Sequence, residues 1–391
     1  MKGLLTSVRN RLGLLRGLID GERAYVGPAY VTFDMTTRCN NVCLGCLYHC
    51  TQPRQTSVDD RVEHDLPLEM VRQLAPELAQ MRTCEILLAG EGEPLLHAQF
   101  FGVVTAVKEA GLVVRCFTNG TLIDEVMAEQ IVHSGLDELM ITLWAVNRAE
   151  HLVWHPGVKP DFLERRKRGI QFMRRARLKA RQSLPRINLQ MPLNRSNFGN
   201  IRERVRLAIE SGCESVTFGV FRDFGGPFES ECLSRADGEN LRHDLLCAGK
   251  QLEQAGIAHN AGDYLNRARL GGDAWRACPC YAGWFETYVK VDGSVLVCCR
   301  CRLVMGKLTE QRFSEIWDSP AYRDFRHRSS DLRQLARMGQ ECDCANCCHW
   351  NDNRRVHRVW RWFAPLAPRG RKAAIGRCED RPKSSLRSPG G

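Results

Sequence analysis

The chain has 391 residues, of which 43% are hydrophobic and 26% are charged, and its formal net charge is +11. This balance is typical of a globular protein, and the length allows one large domain and a smaller one. No apolar run approaches the ~18 residues that a membrane-spanning helix requires, and the first 20 residues lack the regions of a signal peptide, so we expect a cytoplasmic protein.

Most of the positive charge lies near the carboxyl end. Residues 351–391 carry nine arginines, two lysines, one glutamate and two aspartates, a net charge of +8, which leaves +3 for the 350 residues before them. The composition of the main body therefore does not indicate a basic surface that binds a phosphate backbone. We do not expect nucleic acid as a partner.

The predicted elements begin with a helix. Within residues 1–29, apolar residues recur at helical spacing with basic residues between them, which predicts an amphipathic helix. Aromatic residues and arginine also mix at residues 359–363. Both segments suit peripheral contact with an anionic membrane surface, and both suit packing against the body of the protein.

Residues 30–255 alternate between short β-rich runs and longer segments with apolar residues at helical spacing. The predicted strands are 30–35, 85–89, 113–117, 138–144, 187–193 and 215–221, and the predicted helices include 70–81, 100–110, 123–134, 162–178 and 201–211. Glycines at positions 111, 135 and 212 follow three of these helices as stop signals. This alternation favours the α/β class and a partial (β/α)6 barrel, whose chemistry lies at the C-terminal ends of the strands.

Residues 275–350 have a different pattern. Apolar and polar residues alternate from 287 to 298 on both sides of Asp292-Gly293, which predicts a hairpin, and a short helix is predicted near 314–326. Cysteines lie on both sides of this unit, so we expect a small cysteine-rich α+β domain. Residues 365–391 are rich in arginine, proline, serine and glycine, a composition typical of disorder.

The chain contains nineteen cysteines, and they are clustered. Four lie between positions 39 and 50, and nine lie between 278 and 348. In a long chain without an export signal, such clusters indicate metal binding or catalysis more than disulfides. The other six are expected to be packing or surface residues: Cys84, Cys116, Cys213, Cys232, Cys247 and Cys378.

The first cluster is a C-x3-C-x2-C run formed by Cys39, Cys43 and Cys46, directly after the first predicted strand. Three closely spaced thiolates can ligate three irons of a [4Fe–4S] cubane and leave the fourth iron open to another ligand. A four-thiolate structural zinc site that also uses Cys50 is the alternative.

This run resembles the motif of the radical S-adenosylmethionine (SAM) superfamily, and two later motifs extend the resemblance. Residues 90–96 (GEGEPLL) are similar to the family's GGEP segment, and residues 118–122 (TNGTL) match the family's run after the third strand. The resemblance implies that Cys39, Cys43 and Cys46 hold the SAM-binding cluster, and that Gly92, Glu93, Asn119 and Thr142 contact SAM. The glycines at 90 and 92 would let the backbone approach a small ligand, and Glu93 could pair with an ammonium group.

The sequence departs from the family at two of these positions. Glu91 stands in place of the first glycine of the GGEP segment. Gly45 stands where the family has an aromatic residue near the adenine, and Tyr48 is the nearby residue that could substitute for it.

The second cysteine cluster resembles the SPASM or twitch extension of radical SAM proteins, in which a Gly-x4-Cys after a hairpin precedes a C-x2-C pair. The resemblance implies that Cys280, Cys298, Cys344 and Cys347 hold one auxiliary [4Fe–4S] cluster. A second cluster is the alternative, built from the cysteines that remain: Cys278, Cys299, Cys301, Cys342 and Cys348. A zinc ribbon is a further alternative.

The resemblance implies a radical SAM enzyme that takes electrons from a reductant such as flavodoxin or ferredoxin. We expect it to oxidise or epimerise a sugar or cyclitol-type small molecule, with a thiol such as Cys213 or Cys247 as a possible hydrogen donor for epimerisation. A peptide-modifying maturase is the alternative enzyme. A zinc-stabilised binding protein without catalytic activity is the alternative outside enzymes.

Overall fold

The structure is a computed structural model that describes residues 8–50, 64–159, 161–268, 270–363 and 366. Within these residues a single mixed sheet runs through the molecule. Its strands are β1 (Tyr30–Asp34), β2 (Glu85–Ala89), β3 (Val113–Thr118), β4 (Glu138–Thr142), β5 (Arg186–Leu193), β6 (Ser215–Val220), β7 (Ala258–His259), β8 (Glu286–Val289), β9 (Ser294–Leu296) and β10 (Val304–Lys307).

Helices follow most of the strands. They are α1 (Val8–Asp20), α2 (Leu68–Gln80), α3 (Phe100–Glu109), α4 (Glu125–His133), α5 (Arg148–Trp154), α6 (Asp161–Ala180), α7 (Ile201–Ser211), α8 (Arg235–Gln254), α9 (Ala261–Ala268), α10 (Ala282–Phe285), α11 (Phe313–Trp317), α12 (Pro320–Ser329), α13 (Leu332–Arg337) and α14 (Trp350–Phe363). The predicted helix near 314–326 is thus two helices. Pro320 begins the second of them, and the Ser319 side chain caps its N-terminus.

Strands β1 to β7 are parallel and lie in chain order, as expected for successive βα units. The α/β class and the partial barrel are therefore confirmed. Three helices, α3, α4 and α7, are followed by the predicted glycines. Each glycine has a left-handed backbone, with φ of +79° at Gly111, +84° at Gly135 and +63° at Gly212. Strand β1 is buried along its whole length and is the fourth of the ten strands in the sheet, between β8 and β2.

The cysteine-rich segment is not a separate layer. Strand β8 pairs in parallel with β1, Tyr30 opposite Glu286, and the predicted hairpin continues as the antiparallel strands β9 and β10. The sheet order is therefore β10-β9-β8-β1-β2-β3-β4-β5-β6-β7. This pairing joins the two cysteine regions through one set of backbone hydrogen bonds, although they are far apart in the sequence.

The two terminal helices pack on the body of the protein. Leu14 and Leu18 of α1 are buried, and Gly17 approaches the Trp284 ring so closely that an added Cβ would lie 3.1 Å from it. Trp360 of α14 is buried and Trp362 is 74% exposed. No described helix is long and apolar enough to cross a membrane. Of the tail 365–391, for which disorder is predicted, only Leu366 is among the described residues.

Candidate functional site

The C-x3-C-x2-C loop lies at the C-terminal end of β1, where the barrel architecture predicts chemistry. The Cys46 N–H donates to the Cys43 carbonyl at 2.9 Å, which turns the chain between these two residues. Two later backbone N–H groups, of Tyr48 and His49, donate to the Cys46 sulfur at 3.4 and 3.2 Å. Such N–H donors favour the thiolate form that a metal requires.

The three thiols of the loop lie close to one another and are poorly hydrated. Burial, and then the neighbouring Cys46 and Cys39 thiols, raise the pKa of Cys43 well above its ordinary value. Burial, and then Glu93, raise the pKa of Cys39 to about 12. Bare thiolates are therefore disfavoured here, and a bound cationic metal centre offsets that cost.

The loop does not preform a site for a single ion. Among the described residues, the group with three ligand atoms mutually within 4.8 Å lies elsewhere and does not contain Cys39, Cys43, Cys46 or Cys50. A tetrahedral zinc site requires its ligand atoms about 3.4–3.8 Å apart, given its bond lengths. The zinc alternative therefore has no preformed tetrahedral ligand set among the described residues of this loop.

The Glu93 carboxylate joins the ends of β2 and β3. It is buried and accepts hydrogen bonds from the Thr118 hydroxyl at 2.6 Å, the Asn119 N–H at 2.7 Å and the Leu95 N–H at 3.3 Å. These three donors occupy most of the acceptor positions of a carboxylate. The structure therefore gives Glu93 a positioning role, and its contact with SAM stays a prediction.

The Asn119 side chain also binds within the protein. Its Nδ2 donates to Asn40 Oδ1 at 2.8 Å, and its Oδ1 accepts from the Thr121 hydroxyl at 2.6 Å. Asn40 lies between the cluster cysteines, so these bonds attach the loop to the end of β3. Thr142, the last residue of β4, lies opposite Gln190 of β5 and is half-buried; its contact with SAM also stays a prediction.

The glycines of the 90–96 segment allow contact between protein backbones. A Cβ on Gly90, whose φ is +124°, would lie 2.7 Å from the Asp34 Cα, and a Cβ on Gly92 would lie 2.1 Å from the Arg38 carbonyl oxygen. The Gly92 N–H donates to the Thr36 carbonyl at 2.9 Å. On the Cβ side, these glycines thus allow close packing against the end of β1 and the chain that follows it. The contact of Gly92 with SAM stays a prediction.

Arg166 of α6 is a site residue that the sequence did not reveal. Its guanidinium is fully buried, Nε donates to the Asn119 carbonyl at 2.7 Å, and both Nη atoms have no hydrogen-bond partner among the described residues. Burial lowers the pKa of Arg166, whereas the nearby Cys43 and Glu93 raise it. A buried guanidinium with two free Nη groups is suited to an anion such as a carboxylate.

The space beside Gly45 explains the missing aromatic residue. A Cβ on Gly45 would lie 2.5 Å from the Trp144 ring and 2.8 Å from the Phe221 ring. Trp144 stacks on Trp154 with ring centroids 5.3 Å apart and meets Phe221 edge to face at 5.8 Å. Aromatic surface is thus present at this position, but it comes from the ends of β4 and β6. Tyr48 lies on another side of the loop, near Glu91 and Cys299. Burial raises the pKa of Tyr48 most, and the charges of these two neighbours raise it further.

Glu91, the other departure from the family motif, has a partner in the cysteine-rich segment. The Lys290 ammonium lies 2.5 Å from Glu91 Oε1, and both side chains are largely buried. The Glu91 N–H donates to Asp34 Oδ1 at 2.8 Å. Burial, and then the Glu91 charge, raise the pKa of Asp34 well above its ordinary value. This ion pair connects the hairpin between β8 and β9 to the loop after β2.

The four predicted auxiliary ligands come together from three separate segments. Burial, and then Cys344 and Cys347, raise the pKa of Cys280 well above its ordinary value, and Cys280 in turn contributes to the raised pKa of Cys298. Of the remaining cysteines, Cys342 Sγ donates to Cys301 Sγ at 2.7 Å. Whether this segment holds one cluster or two stays a prediction.

The two thiols considered as hydrogen donors are not at the site. Cys213 precedes β6 and is therefore at the N-terminal ends of the strands, and its Sγ contacts the Ala208 carbonyl at 3.6 Å. Cys247 is exposed on α8. Neither position supports the role of hydrogen donor for epimerisation.

Family models match both regions of the chain. The model described as the radical SAM superfamily matches residues 33–205, and the one described as an iron–sulfur cluster-binding domain, SPASM, matches residues 278–348.

Two curated relatives are similar over most of the chain. The AdoMet-dependent heme synthase of Methanosarcina barkeri is 24% identical over 312 residues, which cover 75% of this chain and 82% of the relative. The PqqA peptide cyclase of Xanthomonas campestris is 24% identical over 303 residues, which cover 74% of this chain and 73% of the relative.

Solved structures share the fold. Streptococcus suis SuiB bound to its precursor peptide SuiA has a TM-score of 0.62 at 16% identity, over 88% of this chain and 76% of SuiB. The structure of anSMEcpe with bound AdoMet has a TM-score of 0.58 at 15% identity, over 77% of this chain and 84% of the other.

Proposed function

Because the chain belongs to the radical SAM superfamily and carries a SPASM iron–sulfur domain, we propose that it is a peptide-modifying radical SAM enzyme. The similarity to the PqqA peptide cyclase carries the choice of a peptide. The sugar or cyclitol substrate that we expected from the sequence has less support, because the two relatives reported above are a peptide cyclase and a heme synthase.

The chain's own residues fit SAM and its cluster. Cys39, Cys43 and Cys46 would ligate three irons of the cubane, and the free Nη groups of Arg166 would pair with the SAM carboxylate. The Trp144 ring would take the place of the missing aromatic residue beside the adenine. Together, the bound cluster and SAM supply a 5′-deoxyadenosyl radical that removes a hydrogen atom from the substrate.

A cavity of about 400 Å³ offers a place for the peptide. It lies between the cluster loop and the cysteine-rich segment, with Leu47 on one side and Asp343 and Asn346 on the other. Leu47 follows Cys46 and Asn346 precedes Cys347, so a side chain held there would lie between the two cysteine sets. Removal of a hydrogen atom near the first set would leave a radical on the peptide. That radical would pass one electron to the auxiliary set and release a proton to solvent, which suits net oxidation of the peptide by two hydrogens.

The test uses the anaerobically reconstituted protein with SAM and a flavodoxin-type reductant. We expect 5′-deoxyadenosine, and we expect a peptide encoded near the gene to lose two hydrogens, as measured by mass spectrometry. The variant in which Cys39, Cys43 and Cys46 are all alanine should form neither product. If an iron tetrapyrrole or a sugar stimulates 5′-deoxyadenosine formation and the peptides do not, the peptide assignment fails and the radical SAM assignment stands.

A further inference from the structure

Two cysteines and a histidine outside the predicted cluster ligands lie together in the cysteine-rich segment. The Cys299 and Cys348 sulfurs are 3.3 Å apart. With a ring nitrogen of His349 they form a group whose three ligand atoms all lie within 4.8 Å of one another. The first cysteine follows β9 and the other two residues precede α14, so the fold and not the local sequence brings them together.

The His349 ring is oriented from its other side. Its Nδ1 lies 2.8 Å from Glu286 Oε2 and 3.0 Å from the Tyr30 hydroxyl. Tyr30 and Glu286 are register partners on β1 and β8, and both are buried. The Nε2 atom is buried, and the side chain that interacts with the ring on this side is the Cys348 thiol.

This arrangement is typical of a metal-binding histidine. Such a ring usually binds the metal through one nitrogen and contacts a carboxylate through the other, which sets its orientation. Here Nδ1 is occupied by Glu286 and Tyr30, which leaves Nε2 for a metal. Two cationic side chains adjoin the thiols: Arg300 follows Cys299 in the chain, and Arg222 donates to the Cys347 carbonyl.

The spacing of the ligand atoms distinguishes a single ion from a second cubane. A tetrahedral zinc ion with Zn–S bonds of about 2.3 Å and Zn–N bonds of about 2.0 Å places its ligand atoms about 3.4–3.8 Å apart. The two sulfurs, 3.3 Å apart, lie closer together than the ~3.8 Å between two thiolates on one tetrahedral zinc ion, and a small movement apart would admit the ion. A cubane binds each thiolate at a different iron, so its ligands stand farther apart.

We propose that Cys299, Cys348 and His349 bind one zinc ion, with three protein ligands and one open position. Three ligands from cysteine and histidine with an open fourth position are typical of zinc that binds water or a substrate group. The ion is additional to the iron of the clusters and does not depend on a peptide being the substrate. Two thiolates and a neutral imidazole would balance the charge of the divalent ion.

The test measures zinc and iron in the same samples of anaerobically reconstituted protein. After titration with ZnCl2 and removal of loosely bound metal, the native protein should retain about one zinc per chain. The Cys348→Ser and His349→Gln variants should lose that zinc and keep the iron content and the cluster absorbance, which also shows that they fold. Added Co²⁺ should give the native protein, but not the variants, the intense visible bands of a tetrahedral thiolate site.

The Cys247→Ser variant is the matched control. Cys247 lies 3.6 Å from His243 on the exposed surface of α8, an incidental Cys–His pair, and its loss should leave the zinc content unchanged. Native protein that retains no zinc would overturn the proposal. A loss of iron in proportion to zinc in the Cys348→Ser variant would also overturn it, because that residue would then be a cluster ligand.

Discussion

Replacement of Lys290 by methionine should destabilise the protein strongly. Lys290 pairs with Glu91, which is 199 positions away in the sequence. The change leaves the Glu91 carboxylate, whose side chain is 1% exposed, without its cation. Removing one partner of a buried ion pair costs about 3–5 kcal/mol, because the remaining charge stays desolvated. We expect the free energy of unfolding to fall by that amount in urea titrations of the reconstituted protein.

The double variant separates the ion pair from the packing of the lysine side chain. Glu91→Gln combined with Lys290→Met removes both charges, so the cost should be less than the sum of the single changes by about 1–3 kcal/mol. Formation of 5′-deoxyadenosine should fall in the Lys290→Met variant, because Glu91 is part of the segment that contains Gly92 and Glu93.

Lys179 provides the matched control. Its ammonium lies 2.5 Å from Glu129, the same distance as in the buried pair, but its side chain is 74% exposed. Water screens such a pair, so Lys179→Met should not change stability beyond experimental error. Equal effects of the two lysine substitutions would refute the reasoning, since burial would then not decide the strength of the pair.

Three further predictions concern the same site. The stability lost in Lys290→Met should be partly regained as the pH falls below neutral, because burial raises the folded-state pKa of Glu91 and a group with a raised pKa adds stability as the pH falls through that value. Urea midpoints measured over a series of decreasing pH values check it, and a loss that grows at lower pH contradicts it. Trp144→Ala should raise the KM for SAM at least about fivefold through lost stacking, whereas Trp362→Ala, on the exposed side of α14, should not. Arg166→Met should weaken SAM binding about tenfold or more through a lost charged hydrogen bond, whereas Arg174→Met, exposed on the same helix, should leave it unchanged in equilibrium binding assays.

The periodicity of the chain predicted most of the fold. Strands and helices from 30 to 221 lie within a few residues of the expected positions, because each is encoded by its own apolar pattern and by glycines where the helices end. The motif of Cys39, Cys43 and Cys46 was also readable, since ligands that share one loop have a fixed local spacing. The pairing of β8 with β1 could not be predicted from the sequence, because the order of strands depends on which edge of the sheet is open to a further strand.

The sequence by itself determined the class of the protein, the elements of its barrel and the residue types of its two cysteine regions. Tertiary structure alone decided which residues surround the cysteine loop. Arg166 reaches it from α6, Trp144 fills the space that Gly45 leaves, and Lys290 neutralises Glu91 across the junction of the two regions. The physical reason is that burial and charge pairing depend on distances between residues that are remote in the chain, and no local pattern records those distances.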